Sequence, residues 1–239
     1  MQIIKSSDIN MSNVMYLVYG RPGTGKTHAV QFLPGKTVYI AIDGSERPLK
    51  DKNTDNLILI VLDQSDYLDI ITSMDKAMMT IEQSFLGKVD NVVLDNISYL
   101  QELIVEQLSD KYKDQRQMWQ FMQNYIKKIV TRFKSWDKRI YVTGWEVDYI
   151  DFDESHNQTT LFDLKLNASL RESIEGLFNV VGRAFIHKEE HLIQLTQSQR
   201  IAAKNQVDTR KYCLTEDLFT DKEWQPKSKT ITGGNSNEN

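Results

Sequence analysis

The eight residues Gly20-Arg21-Pro22-Gly23-Thr24-Gly25-Lys26-Thr27 match G-x-x-x-x-G-K-[ST] at every fixed position. No other feature limits the fold as much, because such a loop needs a strand to deliver it and a helix to leave it. The sequence supplies both: the apolar run Val14–Tyr19 leads in and a helical stretch from Lys26 to Leu33 leads out. Gly20, Gly23 and Gly25 can take positive φ and bring backbone N–H groups close to an anion. The start of a helix adds partial positive charge at the same place. Lys26 is placed for the β- and γ-phosphate oxygens, and the Thr27 hydroxyl for a magnesium ion. The expected ligands are therefore ATP and Mg²⁺, with Gly20 through Thr27 as the binding segment.

With 239 residues the chain is long enough for one large domain. A net charge of −4 excludes a uniformly basic nucleic-acid binder but leaves room for a local basic patch. Cys213 is the only cysteine, so neither an intramolecular disulfide nor a cysteine-rich metal site is expected. His28, His156, His187 and His191 show no metal-ligand spacing. No charged-then-apolar leader is visible, and no apolar stretch exceeds six residues, as in Leu57–Leu62. The expectation is a cytoplasmic protein (host cytoplasm if phage-encoded) with no membrane association.

Strand-like and helix-like patterns alternate along the first 145 residues. Thr37–Ile42, Leu57–Leu62, Val89–Leu94 and Arg139–Trp145 read as strands. Between them, Ser65 can cap a helix carrying Ile71, Met74, Met78, Ile81 and Phe85, stopped by Gly87. Further helices are expected near Ser98–Leu108 and Gln115–Phe133. This alternation predicts an α/β fold with a mostly parallel sheet and helices on both faces. The order then changes. Residues 147–153 and 159–166 read as a polar hairpin closing near Ser155-His156-Asn157, followed by a helix Ala168–Phe178. Val180–His187 and Leu192–Thr196 read as a second hairpin turning at Lys188-Glu189-Glu190. Residues 1–220 thus form one ATPase domain with a hairpin insertion at about 147–166, and 221–239 a disordered tail.

Val92-Val93-Leu94-Asp95 is an apolar strand ending in an acid, roughly 70 residues after the P-loop. It fits a Walker B strand, with Asp95 holding the metal through water. Together with the acidic turn Asp43–Glu46 and the closing hairpin with Gly182-Arg183, these parts resemble a family of phage nucleotide-binding proteins with a RecA-like ATPase core. The resemblance covers about residues 10–215 and is specific at the P-loop and Asp95. It implies an ATPase of single-strand annealing or recombination that forms homo-oligomers on single-stranded DNA. In RecA-like ATPases the water-activating Glu follows the strand next to the P-loop strand, which points to Glu46, with Asp43 as competitor. Lys26, Glu46 and Asp95 are then the expected catalytic set, and Thr27 and Asp95 the metal set. Asn96 stands where AAA+ ATPases carry their water-activating Glu. Thr143 and Glu146 are placed to sense the γ-phosphate, though RecA proteins usually have Gln there.

Residues 111–139 carry nine basic side chains against two acids, a net +7. Tyr112, Trp119, Tyr125 and Trp136 are interleaved, which suits a sequence-neutral single-strand binder. Met118, Met122, Tyr125, Ile129 and Phe133 step helically, however, and this turns the aromatics toward a core. Lys127, Lys128 and Arg132 are the DNA candidates of this helix. Lys204 and Arg210 are candidates for reaching a neighbouring subunit's γ-phosphate, with Arg183 a weaker one. Residues 148–165 carry five acids and one lysine, and so repel phosphate. That segment faces away from DNA or serves as an assembly surface. Two other readings stay open: a nucleotide-gated accessory protein of helicase or clamp loading with weak hydrolysis, and a small-molecule or nucleotide kinase. A recombination or replication protein is the expected partner in the DNA readings.

Overall fold

Strands buried on both faces must be apolar along their whole length, and this sequence has three such runs around the P-loop. In the computed structural model, β1 (Met15–Gly20), β2 (Thr37–Ala41) and β4 (Asn91–Asp95) are buried at every residue. The described residues are 13–50, 56–152 and 158–225, together with Lys5. The remaining strands are β3 (Leu57–Val61), β5 (Arg139–Phe152), β6 (Gln158–Leu164), β7 (Val180–His187), β8 (Glu190–Gln194), β9 (Lys204–Asn205) and β10 (Tyr212–Leu214). The sheet order is β10-β8-β7-β1-β5-β4-β2-β3, with β6 on β5 and β9 on β7. From β7 to β3 all neighbours are parallel. The later strands β6, β8, β9 and β10 pair antiparallel. This is an α/β architecture with a mostly parallel sheet and antiparallel pairings of the later strands, as expected.

The two faces are covered differently. One core packs the sheet against α2 (Ile70–Thr80), α3 (Ile97–Ser109), α4 (Gln115–Ser135) and α5 (Ala168–Leu177). The other is covered by the 3₁₀ turns His28–Phe32 and Arg47–Leu49 and by Leu218 and Phe219, which follow the turn Thr215–Asp217. The helix expected after the P-loop is thus a short 3₁₀ turn, and helices do not flank both faces equally. The long helix expected from Ser65 is broken. Asp63 caps a single turn, α1 (Gln64–Tyr67), through the Ser65 N–H at 2.8 Å. Asp69 then starts α2, which ends in a π turn at Ile81–Phe85. The α4 face Met118, Met122, Tyr125, Ile129 and Phe133 is buried as its spacing requires.

The strand expected to stop at Trp145 runs on to Phe152 and forms the first hairpin with β6, pairing Glu146 with Leu164 through Phe152 with Gln158. The expected turn at Ser155–Asn157 lies outside the described residues. The second hairpin turns where Lys188 and Glu189 take φ of 47° and 68°. Of the expected tail, residues 226–239 lie outside the described residues, but 221–225 are ordered against the sheet. Trp224 donates its backbone N–H to Tyr212 O at 3.0 Å and its indole N–H to Glu190 Oε2 at 2.9 Å. Its ring meets those of His187 and Tyr212 edge-on. Among the described residues no helix is long and apolar enough to cross a membrane.

Candidate nucleotide-binding site

Parallel strands end together, so their C-terminal ends form one edge, and ligands of open α/β sheets bind outside it. Register places Ala41 beside Asp95, and Leu94 beside Val142 one step before Thr143. Gly20 ends β1 beside Trp145. At Gly20 a Cβ would stand 2.4 Å from Ala184 O, so only glycine fits between β1 and β7. Gly25 has φ +94°, which the loop needs in order to turn its N–H groups inward. The loop opens on a cavity of about 590 Å³ lined by Gly23, Gly25, Lys26, Thr27, Asp43 and Asp95, among others.

Lys26 is only 8% exposed. Its ammonium donates to Gly20 O at 2.8 Å and Arg21 O at 2.9 Å and makes no ion pair among the described residues. Burial lowers its pKa against the opposing pull of Asp95, Asp43 and Glu146. Asp95 is 2% exposed and serves as the acceptor at the centre. Thr27 Oγ1 donates to its Oδ2 at 2.7 Å, Tyr39 OH to the same oxygen at 2.6 Å, and Thr143 Oγ1 to Oδ1. Thr27 and Asp95, the two expected metal residues, are therefore in direct contact. A hydroxyl and a carboxylate in contact, facing a cavity that also receives a lysine, are a donor set of the hard oxygen type that Mg²⁺ accepts.

The expected base is placed less simply. Asp43 lines the cavity and Glu46 does not. Glu46 is half-buried, and its Oε2 has no hydrogen-bond partner. Asp43 accepts from Ser45 N at 3.1 Å and from Asn96 Nδ2. Burial raises the pKa of Asp43, and the nearby Asp95 carboxylate raises it further. Asn96 has a role that the sequence did not show. Its Oδ1 accepts from Tyr99 N at 2.7 Å to cap α3, while its amide nitrogen holds Asp43. The side-chain amide serves both, because its oxygen accepts and its nitrogen donates.

The residues near the end of β5 are already committed. The Thr143 hydroxyl goes to Asp95 rather than to open space. The Glu146 side chain is 1% exposed and clamped by Arg183 at 2.7 Å and by the P-loop's Arg21 at 3.3 Å. Arg183 also lies 3.8 Å from the Phe162 ring centroid. Glu146 as a γ-phosphate sensor and Arg183 as a reaching cation are both set aside by this pairing. Tyr39 and His191 also belong to the site and were missed in the sequence. Tyr39 carried a signal, since it shares strand parity with Ala41, beside Asp95.

The basic candidates lie elsewhere. Lys127 is half-buried and Lys128 exposed on α4, whereas Arg132 makes a bidentate pair with Glu82 at 2.6 and 2.7 Å. Tyr125 and Trp136 are core residues, Trp119 is half-buried and Phe121 is exposed, so α4 offers a single open aromatic rather than a row of platforms. Lys204 and Arg210 line a second cavity of about 570 Å³ between α5 and residues 195–211. Lys204 Nζ donates to Gly176 O at 3.3 Å. Arg210 is 7% exposed, pairs with Asp208 at 2.8 Å and donates to the Asp217, Leu218 and Lys222 carbonyls. A guanidinium whose donors are engaged within its own chain counts against the trans-acting assignment of Arg210.

The P-loop and its acidic partner define a P-loop nucleotide-binding domain. Residues 12–207 match the family model described as "AAA domain", and the chain belongs to that family. No curated protein matches it. Among solved structures, the flagellar accessory protein FlaH from Methanocaldococcus jannaschii is similar at 14% identity over 83% of each chain, with a TM-score of 0.45. So distant a likeness carries no argument about function.

Proposed function

We propose that this chain is an ATPase that works with Mg²⁺ at the P-loop. One observation carries the reading: Thr27 and Asp95 meet at 2.7 Å on the same cavity as a buried lysine that has only backbone carbonyls for partners. Lys26 exchanges those carbonyls for phosphate oxygens. Thr27 and Asp95 would hold the metal, and the Tyr39 and Thr143 hydroxyls fix the Asp95 carboxylate. The metal, when bound, neutralises charge on the β- and γ-phosphates. Asp43 takes the proton of the attacking water, oriented by Asn96. Magnesium-dependent phosphate release by the wild type, lost in Asp95→Ala with metal-free nucleotide binding retained, is the expected result. Equal loss of metal-free binding would make Asp95 a structural residue instead.

A second reading concerns a partner. α4 has five cationic side chains and no acid between Gln115 and Ser135, which supports single-stranded DNA binding by its outer face. The recombination role and the homo-oligomer implied by the phage resemblance belong to this reading. With Tyr125 and Trp136 in the core and Trp119 half-buried, the contact is mainly electrostatic, and each neutralised phosphate adds about −0.7 to the slope of log K against log salt. Charge reversal at Lys127 and Lys128 should abolish binding to a single strand and leave basal ATP turnover intact. No binding by the wild type at any salt would leave the nucleotide-gated accessory protein as the better reading.

A further inference from the structure

The chain beyond the family match returns to the P-loop. A Cβ on Gly25 would lie 3.3 Å from His191 Nδ1 and 3.2 Å from Thr215 Oγ1. His191 is on β8, and Thr215 opens the 3₁₀ turn that follows β10. Thr215 Oγ1 donates to His191 O at 3.2 Å, which fixes the histidine backbone beside the loop. On the other side, the preceding residue Glu190 accepts from the Trp224 indole. The left-handed turn at Lys188 and Glu189 brings β8 back along β7 to this position. The His191 side chain is exposed and lines the same cavity as Lys26, Thr27 and His28.

We propose that His191 is a phosphate-binding residue, donating an imidazole N–H to the α/β-phosphate part of the nucleotide. The proposal rests on the P-loop reading above. The N–H groups of a P-loop cradle the α- and β-phosphates, and Gly25 lies between the loop's turn and its lysine. A ring whose Nδ1 stands beside Gly25 and lines the cavity is within reach of the same oxygens. Imidazole keeps one N–H even when neutral, so it can donate without becoming charged. The other charged groups on this cavity are Lys26, Arg47, Asp43 and Asp95. The first two are cations that, with His191, favour a polyanion in the cavity.

Calorimetric titration without metal separates the ligand parts, with ATP and inorganic tripolyphosphate as probes. Tripolyphosphate has no base or sugar. His191→Ala should weaken both ligands about tenfold, the worth of one hydrogen bond. His191→Gln should recover part of the loss, because its amide still donates. Neither should lower the unfolding temperature, since the side chain is exposed. Unchanged affinity for both probes would overturn the proposal. So would a loss confined to ATP, which would place the ring on the base or sugar. A wild type that binds neither probe would overturn the nucleotide reading itself, and with it this one.

Discussion

Lys26 and Arg210 are cations buried to nearly the same depth, 8% and 7% exposed, on cavities of about 590 and 570 Å³. Their surroundings differ in one respect. Lys26 has two backbone carbonyls and no ion pair among the described residues, and burial lowers its pKa. Burial also works against the charge on Arg210, but its bond to Asp208 and nearby acidic groups outweigh it, and its pKa is raised. Three further carbonyls complete its donors. Burial and cavity size therefore do not mark a functional site here. Unused donor capacity does: a buried charge without a counter-charge is costly, and the fold keeps it only where a ligand supplies the opposite charge.

The largest effect expected from this contrast is at the base. Asp43→Asn should cut turnover by about 10²–10⁴-fold in steady-state phosphate release, the usual weight of a general base. Glu46→Gln should change it little, because Glu46 does not line the cavity. The opposite outcome would return the role to Glu46, where the sequence first pointed.

Arg210→Ala should act on stability alone. It removes the counter-charge of Asp208, which keeps only the Asn205 amide and the backbone N–H of residue 210, and takes one donor from each of three carbonyls, so it should cost roughly 2–3 kcal/mol in urea unfolding. Nucleotide affinity should be unchanged. A loss of turnover that wild-type subunits rescue in mixed oligomers would restore the trans-acting role.

The smallest effect is at Glu175, on the rim of the Arg210 cavity. Burial, and next the nearby Asp163, push its pKa from an ordinary 4.5 to about 7. Between those values the folded chain holds a proton that the unfolded chain has released. Its contribution to stability is therefore full below the lower value and lost as pH rises through the higher one. Glu175→Gln should raise the unfolding temperature at pH 8 by roughly 2–4 °C, allowing for partial solvent screening, and not at pH 4.

Much of the fold was legible because strands buried on both faces leave unbroken apolar runs and amphipathic helices leave a periodic one. Val92–Asp95 and the α4 face are examples. The P-loop and Asp95 were legible for a different reason, since their chemistry fixes residue types at fixed spacing. The engagement of Arg210 was not legible because a basic residue looks the same in sequence whether its charge is spent or free. Asp208, only two residues away, was visible, but the carbonyls of 217, 218 and 222 were not. Tyr39 and His191 escaped because their roles depend on register and on a return of the chain across 166 residues from Gly25 to His191. Trp224 was assigned to a tail by composition, although its ring is held between His187 and Tyr212.

The most direct test of the central claim is to measure magnesium-dependent ATP turnover and thermal unfolding together on Lys26→Ala. The account predicts turnover reduced by about 10²–10³-fold or more, as for loss of a key electrostatic contact to the reacting group. It also predicts an unfolding temperature no lower than wild type, since a desolvated ammonium has been removed. A folded Lys26→Ala protein that turns over ATP at the wild-type rate would contradict it.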